Sequence, residues 1–173
     1  MTRCFIGLGA NLGNSHEALR QAADDLEQLP RTHAWGRSPI YRSAPVGPGD
    51  QADYLNAVVA LETALEPLEM LDKLQPLEQK AGRERSVRWG PRTLDLDMLM
   101  HGDSVLHSER LTLPHARLFE RNFVLRPLAD IVTEDWRFPD GSNIVQRLAA
   151  CPHNDLTQTD LHWHASTPEA IGA

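Results

Sequence analysis

Apolar residues fall along this chain in two alternating rhythms. Residues 4–8 form a short continuous apolar run, the pattern of a buried strand. Across 16–29 the spacing becomes helical. Ala18, Leu19, Ala22, Ala23 and Leu26 make one stripe, Asn14 or Ser15 can cap its start, and Pro30 follows its end. Residues 32–41 read as one strand and 43–50 as a loop, on turn chemistry alone. Residues 54–63 alternate as a strand does. Pro67 then stands where a helix begins, and Leu68, Leu71, Leu74, Leu77 and Ala81 keep helical spacing to Gly82. A polar loop over 83–92 leads into a strand over 93–100. Beyond it we expect a short strand at 111–113, helical turns near 115–119 and 124–131, and a short helix over 142–149. After Pro152 the chain turns polar. We expect one domain over 1–158 and a frayed tail over 159–173.

The order is strand, helix, strand, strand, helix, strand, then additions. That is the βαββαβ order of the ferredoxin-like architecture, an α+β fold. Its two helices cover one face of the sheet. The C-terminal helices can cover the other, giving a three-layer α/β/α sandwich.

Composition narrows the function. The chain has 173 residues, enough for one sizeable core, and its 41% hydrophobic content argues against disorder. No apolar run approaches a membrane span, and the first residues lead straight into strand-like sequence without signal-peptide order. Cys4 and Cys151 are too few for a disulfide framework, so reduced thiols in a cytoplasm are expected. The net charge of −7 argues against a general nucleic-acid binder. Residues 83–126 nevertheless carry eight Arg, no Lys and six acids, a local charge of +2 in a chain that is −9 elsewhere. Guanidinium forks match phosphate oxygens bidentately, so this stretch reads as a bounded anion site.

The candidate chemistry centres on residues 88–97, Arg-Trp-Gly-Pro-Arg-Thr-Leu-Asp-Leu-Asp. On a strand, Leu94, Leu96, Met98 and Met100 share one face, and Asp95 and Asp97 share the other. The two Asp Cα atoms then lie roughly 6.6 Å apart, near enough for both carboxylates to reach one metal ion or a close pair. Like charges so placed repel unless a cation joins them, and hard oxygen donors beside Arg suit Mg²⁺ holding a polyphosphate. A solvated strand face with two ordinary Asp is the plainer reading of the pair alone. Gly7-Leu8-Gly9-Ala10-Asn11-Leu12-Gly13 is a poor dinucleotide fingerprint, with its last glycine one place late; a tight strand-to-helix turn explains the glycines as well. A P-loop is excluded, because Lys73 follows Asp72 and Lys80 follows Gln79. His162-Trp163-His164 reads as solvated tail, and Cys151 has no activating partner.

Taken together, these blocks resemble the 6-hydroxymethyl-7,8-dihydropterin pyrophosphokinase family. The resemblance runs from Gly7–Gly13 through Pro45-Val46-Gly47-Pro48, Gln51–Asn56, Trp89–Asp97, Leu111–His115 and Arg121-Asn122-Phe123 to Phe138-Pro139-Asp140-Gly141, about four-fifths of the chain. It implies a ferredoxin-like fold. It also implies transfer of diphosphate from ATP to a hydroxymethyl-dihydropterin, giving AMP and the pterin methyl diphosphate in folate biosynthesis. By resemblance, Asp95 and Asp97 hold two Mg²⁺ ions, and Arg83 and Arg92 grip the moving diphosphate. Gln75, Glu78, Arg85, Arg88, Trp89, Met98, Arg110, Thr112, His115 and Arg121 match nucleotide-side positions. Tyr54, Asn56, Phe123 and the backbone of Ser43, Ala44, Pro45 and Val46 match the pterin pocket. The chain departs from the family at Ser43-Ala44-Pro45-Val46-Gly47, where members carry Thr-Pro-Pro-Leu-Gly, and at Ala116, where they often carry Tyr. Its loop between Arg85 and Arg88 is also one residue shorter and has no Lys.

The partners expected are small molecules, ATP and the pterin, met by a monomer with no membrane and no nucleic acid. Two rival readings of the residues stand beside this one. One is a Mg²⁺-dependent phosphohydrolase using the two Asp. The other is a ferredoxin-like RNA-binding module, which would want a basic sheet with exposed aromatics.

Overall fold

The computed structural model describes residues 1–11, 14–43, 53–85 and 94–164, without the side chains of 82–85. Strand β1 (Thr2–Ala10) leads into helix α1 (Ser15–Glu27), where the Asn14 side chain accepts the Glu17 N–H at the N-terminus. Strands β2 (Thr32–Arg37), β3 (Tyr41–Ser43) and β4 (Tyr54–Thr63) follow, then helix α2 (Pro67–Arg85) and strand β5 (Asp95–His101). The remaining elements are β6 (Leu106–His107), β7 (Thr112–Leu113), a 3-10 turn at Leu118–Glu120, α3 (Asn122–Ala129), α4 (Ile144–Ala150) and β8 (Leu156–Gln158).

The main sheet runs β5-β1-β4-β3-β8, with β2 also pairing β4, and every pairing is antiparallel. This is the ferredoxin-like order expected from the sequence. Apolar residues of both sheet faces form two separate cores. Ile6, Leu8, Val59, Leu61 and Met98 pack against Leu19 and Leu26 of α1 and Met70 and Leu74 of α2. Phe5, Val58, Ala60, Leu99 and Met100 pack against Val124, Leu125 and Leu128 of α3 and Ile144 of α4. Helices therefore cover both faces, giving the three layers. An RNA-binding module of this fold needs an open sheet face, and α3 and α4 occupy it here.

Four details depart from the expected pattern. The single strand over 32–41 is broken at Ser38-Pro39. Pro39 has no N–H for the ladder, and the Ser38 hydroxyl accepts the Val58 N–H instead at 2.9 Å. Leu68 lies on the solvent side of α2 at 40% exposure, while buried Met70 heads the stripe with Leu74, Leu77 and Ala81. Met100 does not share the face of Leu94, Leu96 and Met98. The β1–β5 register shifts between Phe5 and Ile6, so Leu99 and Met100 both turn toward α3 and α4.

The fourth departure is the tail, which does not fray at 159. Thr159 donates its backbone N–H and its hydroxyl to the Ile40 carbonyl at 2.9 and 2.8 Å. The Trp163 indole donates to the Ser38 carbonyl at 2.7 Å, and Arg20 donates to the Trp163 carbonyl at 2.9 Å. The His-Trp-His run is thus an anchor, because an amphipathic indole can bury its ring and still satisfy its N–H.

Candidate active site

The β1 ladders decide what lies on the α3/α4 face beyond the end of its core. Gly7 pairs with Asp97 on one side, and Gly9 pairs with Asp95 on one side and Asn56 on the other. These residues share a face, since Cα partners in a ladder point the same way. The two glycines sit inside a strand, and neither has the positive φ that a turn would demand. They are therefore not the turn glycines expected from the sequence. Their effect is to leave β1 without side chains under Asp95, Asp97 and Asn56. The result is a cleft of about 280 Å³ floored by Gly7 and Gly9.

One wall of the cleft holds Ser43, Tyr54 and Asn56. Asn56 and Ser43 are both buried, and the Asn56 amide donates to the Ser43 hydroxyl at 2.7 Å. That bond fixes the amide and leaves Asn56 Oδ1 beside the floor, 3.5 Å from where a Cβ on Gly9 would sit. The facing wall comes from the start of α3, where Arg121 and Phe123 line the cleft. The Arg121 guanidinium lies 5.7 Å from the Phe123 ring centre and 3.8 Å from Asp97 Oδ2. Asp95 and Asp97 occupy the end near β5, so one end is anionic and the other is aromatic and amide-bearing.

His115 stands next to this end. Its N–H donates to the Leu99 carbonyl at 2.9 Å, and its Nδ1 accepts the Arg117 N–H at 3.1 Å. Nδ1 is therefore the unprotonated nitrogen, and Nε2 carries the ring proton. Burial pushes His115 below its ordinary pKa. The Asp97 charge pulls it back up, and Arg121 and Arg117 push it further down.

Other residues singled out from the sequence lie outside the cleft lining. Glu78 accepts the Leu96 N–H at 2.7 Å, holding α2 to the outer edge of β5. Arg110 pairs with Asp72 at 2.5 Å, Gln75 is exposed on α2, and Thr112 pairs with His107 in the small β6–β7 ribbon. The Met98 side chain is buried in the α1/α2 core, on the far side of the sheet from Asp95 and Asp97, so it is not a wall of the cleft. Arg83 and Arg85 fall in the last turn of α2, with side chains outside the description. Ala44, Pro45, Val46, Arg88, Trp89 and Arg92 lie outside the described residues. The lining residues missed in the sequence include Gly7, Gly9 and Asn154 beside the apolar Leu8, Ala57 and Val124. The floor glycines had a signal, alternation on one strand face. Asn154 had none, because it comes from an irregular polar stretch.

The model of the 7,8-dihydro-6-hydroxymethylpterin-pyrophosphokinase family matches residues 5–133. The chain belongs to that family. A 2-amino-4-hydroxy-6-hydroxymethyldihydropteridine pyrophosphokinase of Pseudomonas aeruginosa is 48% identical over 154 residues, covering 89% of this chain and 94% of that one. The Haemophilus influenzae enzyme of the same name is 46% identical, covering 78% and 84%. Among solved structures, a Plasmodium falciparum HPPK-DHPS with pteroate superposes with a TM-score of 0.68 at 14% identity. That likeness carries the fold alone. It covers 86% of this chain but only 44% of the longer Plasmodium protein. The pyrophosphokinase match reaches from β1 past α3 and stops short of α4 and β8.

Proposed function

We propose that the cleft is where this chain performs its family's reaction, the transfer of diphosphate from ATP to the hydroxymethyl group of 6-hydroxymethyl-7,8-dihydropterin. The products are AMP and the pterin methyl diphosphate. The observation that carries this reading is the pairing of Asp95 and Asp97 with Gly9 and Gly7, at one end of a cleft whose other end holds Tyr54, Asn56 and Phe123.

The pterin end follows from shape and polarity. A flat heterocycle lies over the bare floor between the Tyr54 and Phe123 rings. Asn56, with one of its two amide N–H groups on Ser43, turns its carbonyl oxygen to a donor on the heterocycle edge. By family resemblance we also assign Ser43, Ala44, Pro45 and Val46 to the pterin.

The phosphate end follows from charge. Asp95 and Asp97 offer hard oxygens on one face, and Asp97 is 45% exposed. Its contact with Arg121, at 3.8 Å, is too long to occupy the carboxylate fully. That donor set fits Mg²⁺, and we assign two ions to it. Mg²⁺ held by these two carboxylates would supply neutralisation of phosphate charge. Arg83 and Arg92 grip the diphosphate as it moves, and Arg121 steadies the phosphates from the α3 side. Gln75, Glu78, Arg85, Arg88, Trp89, Arg110, Thr112 and His115 are assigned to the nucleotide side. His115, neutral at Nδ1, presents an N–H donor without adding a charge.

The test is the product. With ATP, Mg²⁺ and hydroxymethyl-dihydropterin, AMP rises one-for-one with pterin consumed, as read by chromatography. ADP as the main nucleotide would mean γ-phosphate transfer, and nucleotide cleavage without pterin would mean a phosphohydrolase.

A further inference from the structure

The segment after α4 brings one residue to the cleft that the family match does not include. The match stops at residue 133, and Asn154 lies beyond it, yet Asn154 lines the cleft. Two features hold it there. β8 pairs with β3 so that Leu156 stands opposite Ser43, which places Asn154 two residues from the partner of a pocket residue. Asn122, between Arg121 and Phe123, donates its side-chain N–H to the Asn154 carbonyl at 2.8 Å.

The Asn122 bond is unusual in what it leaves behind. Asn122 is only 8% exposed, and its Oδ1 is buried with no hydrogen-bond partner among the described residues. A buried amide oxygen left unpaired is costly. The side chain's other end is spent on anchoring Asn154.

Asn56 places one of its two amide N–H groups on Ser43, and its Oδ1 stands beside the floor as an acceptor. A pterin edge carries acceptors as well as donors. We infer that Asn154 is a specificity-determining residue of the pocket, its side-chain amide donating to an acceptor on the heterocycle, with Asn122 as its positioning residue. This rests on the pterin reading of the cleft.

Asn154→Asp keeps the size and removes the donor; Asn154→Ala removes the side chain. Both are read by titration calorimetry with 6-hydroxymethyl-7,8-dihydropterin under a saturating non-hydrolysable ATP analogue, and separately with the analogue alone. The expected result in both variants is a pterin Kd raised about tenfold, the size of one lost ligand hydrogen bond. The analogue Kd and the melting temperature should stay at wild-type values. Asn56→Ala is run beside them. Unchanged pterin affinity in the Asn154 variants, with a loss in Asn56→Ala, overturns the assignment of Asn154 and leaves the pocket standing. No loss in any of the three overturns the pterin reading itself. A parallel fall in analogue affinity and melting temperature would make Asn154 merely structural and also overturn the inference.

Discussion

Gly7 stands directly across the β1–β5 ladder from Asp97, so the carboxylate overlooks a strand position with no side chain. The next glycine repeats the relationship with Asp95. Burial elsewhere on this strand is near complete, which makes the two bare positions costly for strand stability. Gly9 provides room for a ligand in return, whereas at Gly7 the Leu99 side chain lies 3.3 Å from where a Cβ would sit.

Gly9→Val tests that trade. A Cβ there meets Asn56 Oδ1 at 3.5 Å and the Leu55 carbonyl at 4.0 Å, both ordinary contacts. The added side chain fills the floor. We expect a melting temperature close to wild type and pterin affinity lower by about tenfold or more. Calorimetry and a thermal melt on the same sample check both halves.

Asp95→Ala and Asp97→Ala should each lower turnover by about 10²-fold or more, the scale of removing one charge-stabilising group. Neither side chain belongs to either core, so folding should be nearly untouched. Steady-state rates across a Mg²⁺ series decide this, and near-normal rates in both variants would remove the metal assignment.

Tyr41 connects the two walls. Its hydroxyl donates to the Asp130 carboxylate at the end of α3, and Arg126 donates to the same carboxylate at 2.7 Å. Tyr41→Phe should cost about 1–3 kcal/mol, as expected for a bond to a charged group. Burial and the Asp130 carboxylate raise the Tyr41 phenol above its ordinary pKa, against the opposing pull of Arg126. The unfolded chain therefore ionises first. Stability from this group is complete below about pH 10 and is lost as pH rises through the folded value. Thermal melts from neutral to alkaline pH should show a flatter decline for Tyr41→Phe than for wild type.

Neither thiol should react in the native protein. Burial pushes Cys4 up to about 12 and raises Cys151 as well. A chromogenic disulfide reagent at about pH 8 should give no colour until denaturant is added. Rapid labelling of either residue in the folded state would contradict the packing described above.

What could be read beforehand divides by mechanism. Period-two alternation placed Asp95 and Asp97 together because strand geometry leaves no choice, and helical stripes located α1 and α2. The same alternation failed at Met100, since a bulge is a property of two paired strands and one of them cannot announce it. The stretch over 32–41 hid its break because the Ser38 hydroxyl substitutes for a ladder bond only when β4 is alongside. Leu156-Thr157-Gln158 is too polar to be read as a strand, and its pairing with β3 supplies the missing reason. Asn154 inherits its place at the cleft from that pairing.

The late tethers also order events in time. Trp163 meets Ser38 across 125 residues of chain, and Thr159 meets Ile40 across 119. Closing such long loops costs entropy before any contact repays it. During synthesis, the βαββαβ unit leaves the ribosome first and can collapse on α1 and α2 unaided. The edge at β3 then stays unpaired until Leu156 emerges. A nascent chain thus holds both Asp and both floor glycines before it holds Asn154, and the cleft gains that side only after α3 and α4 have been made.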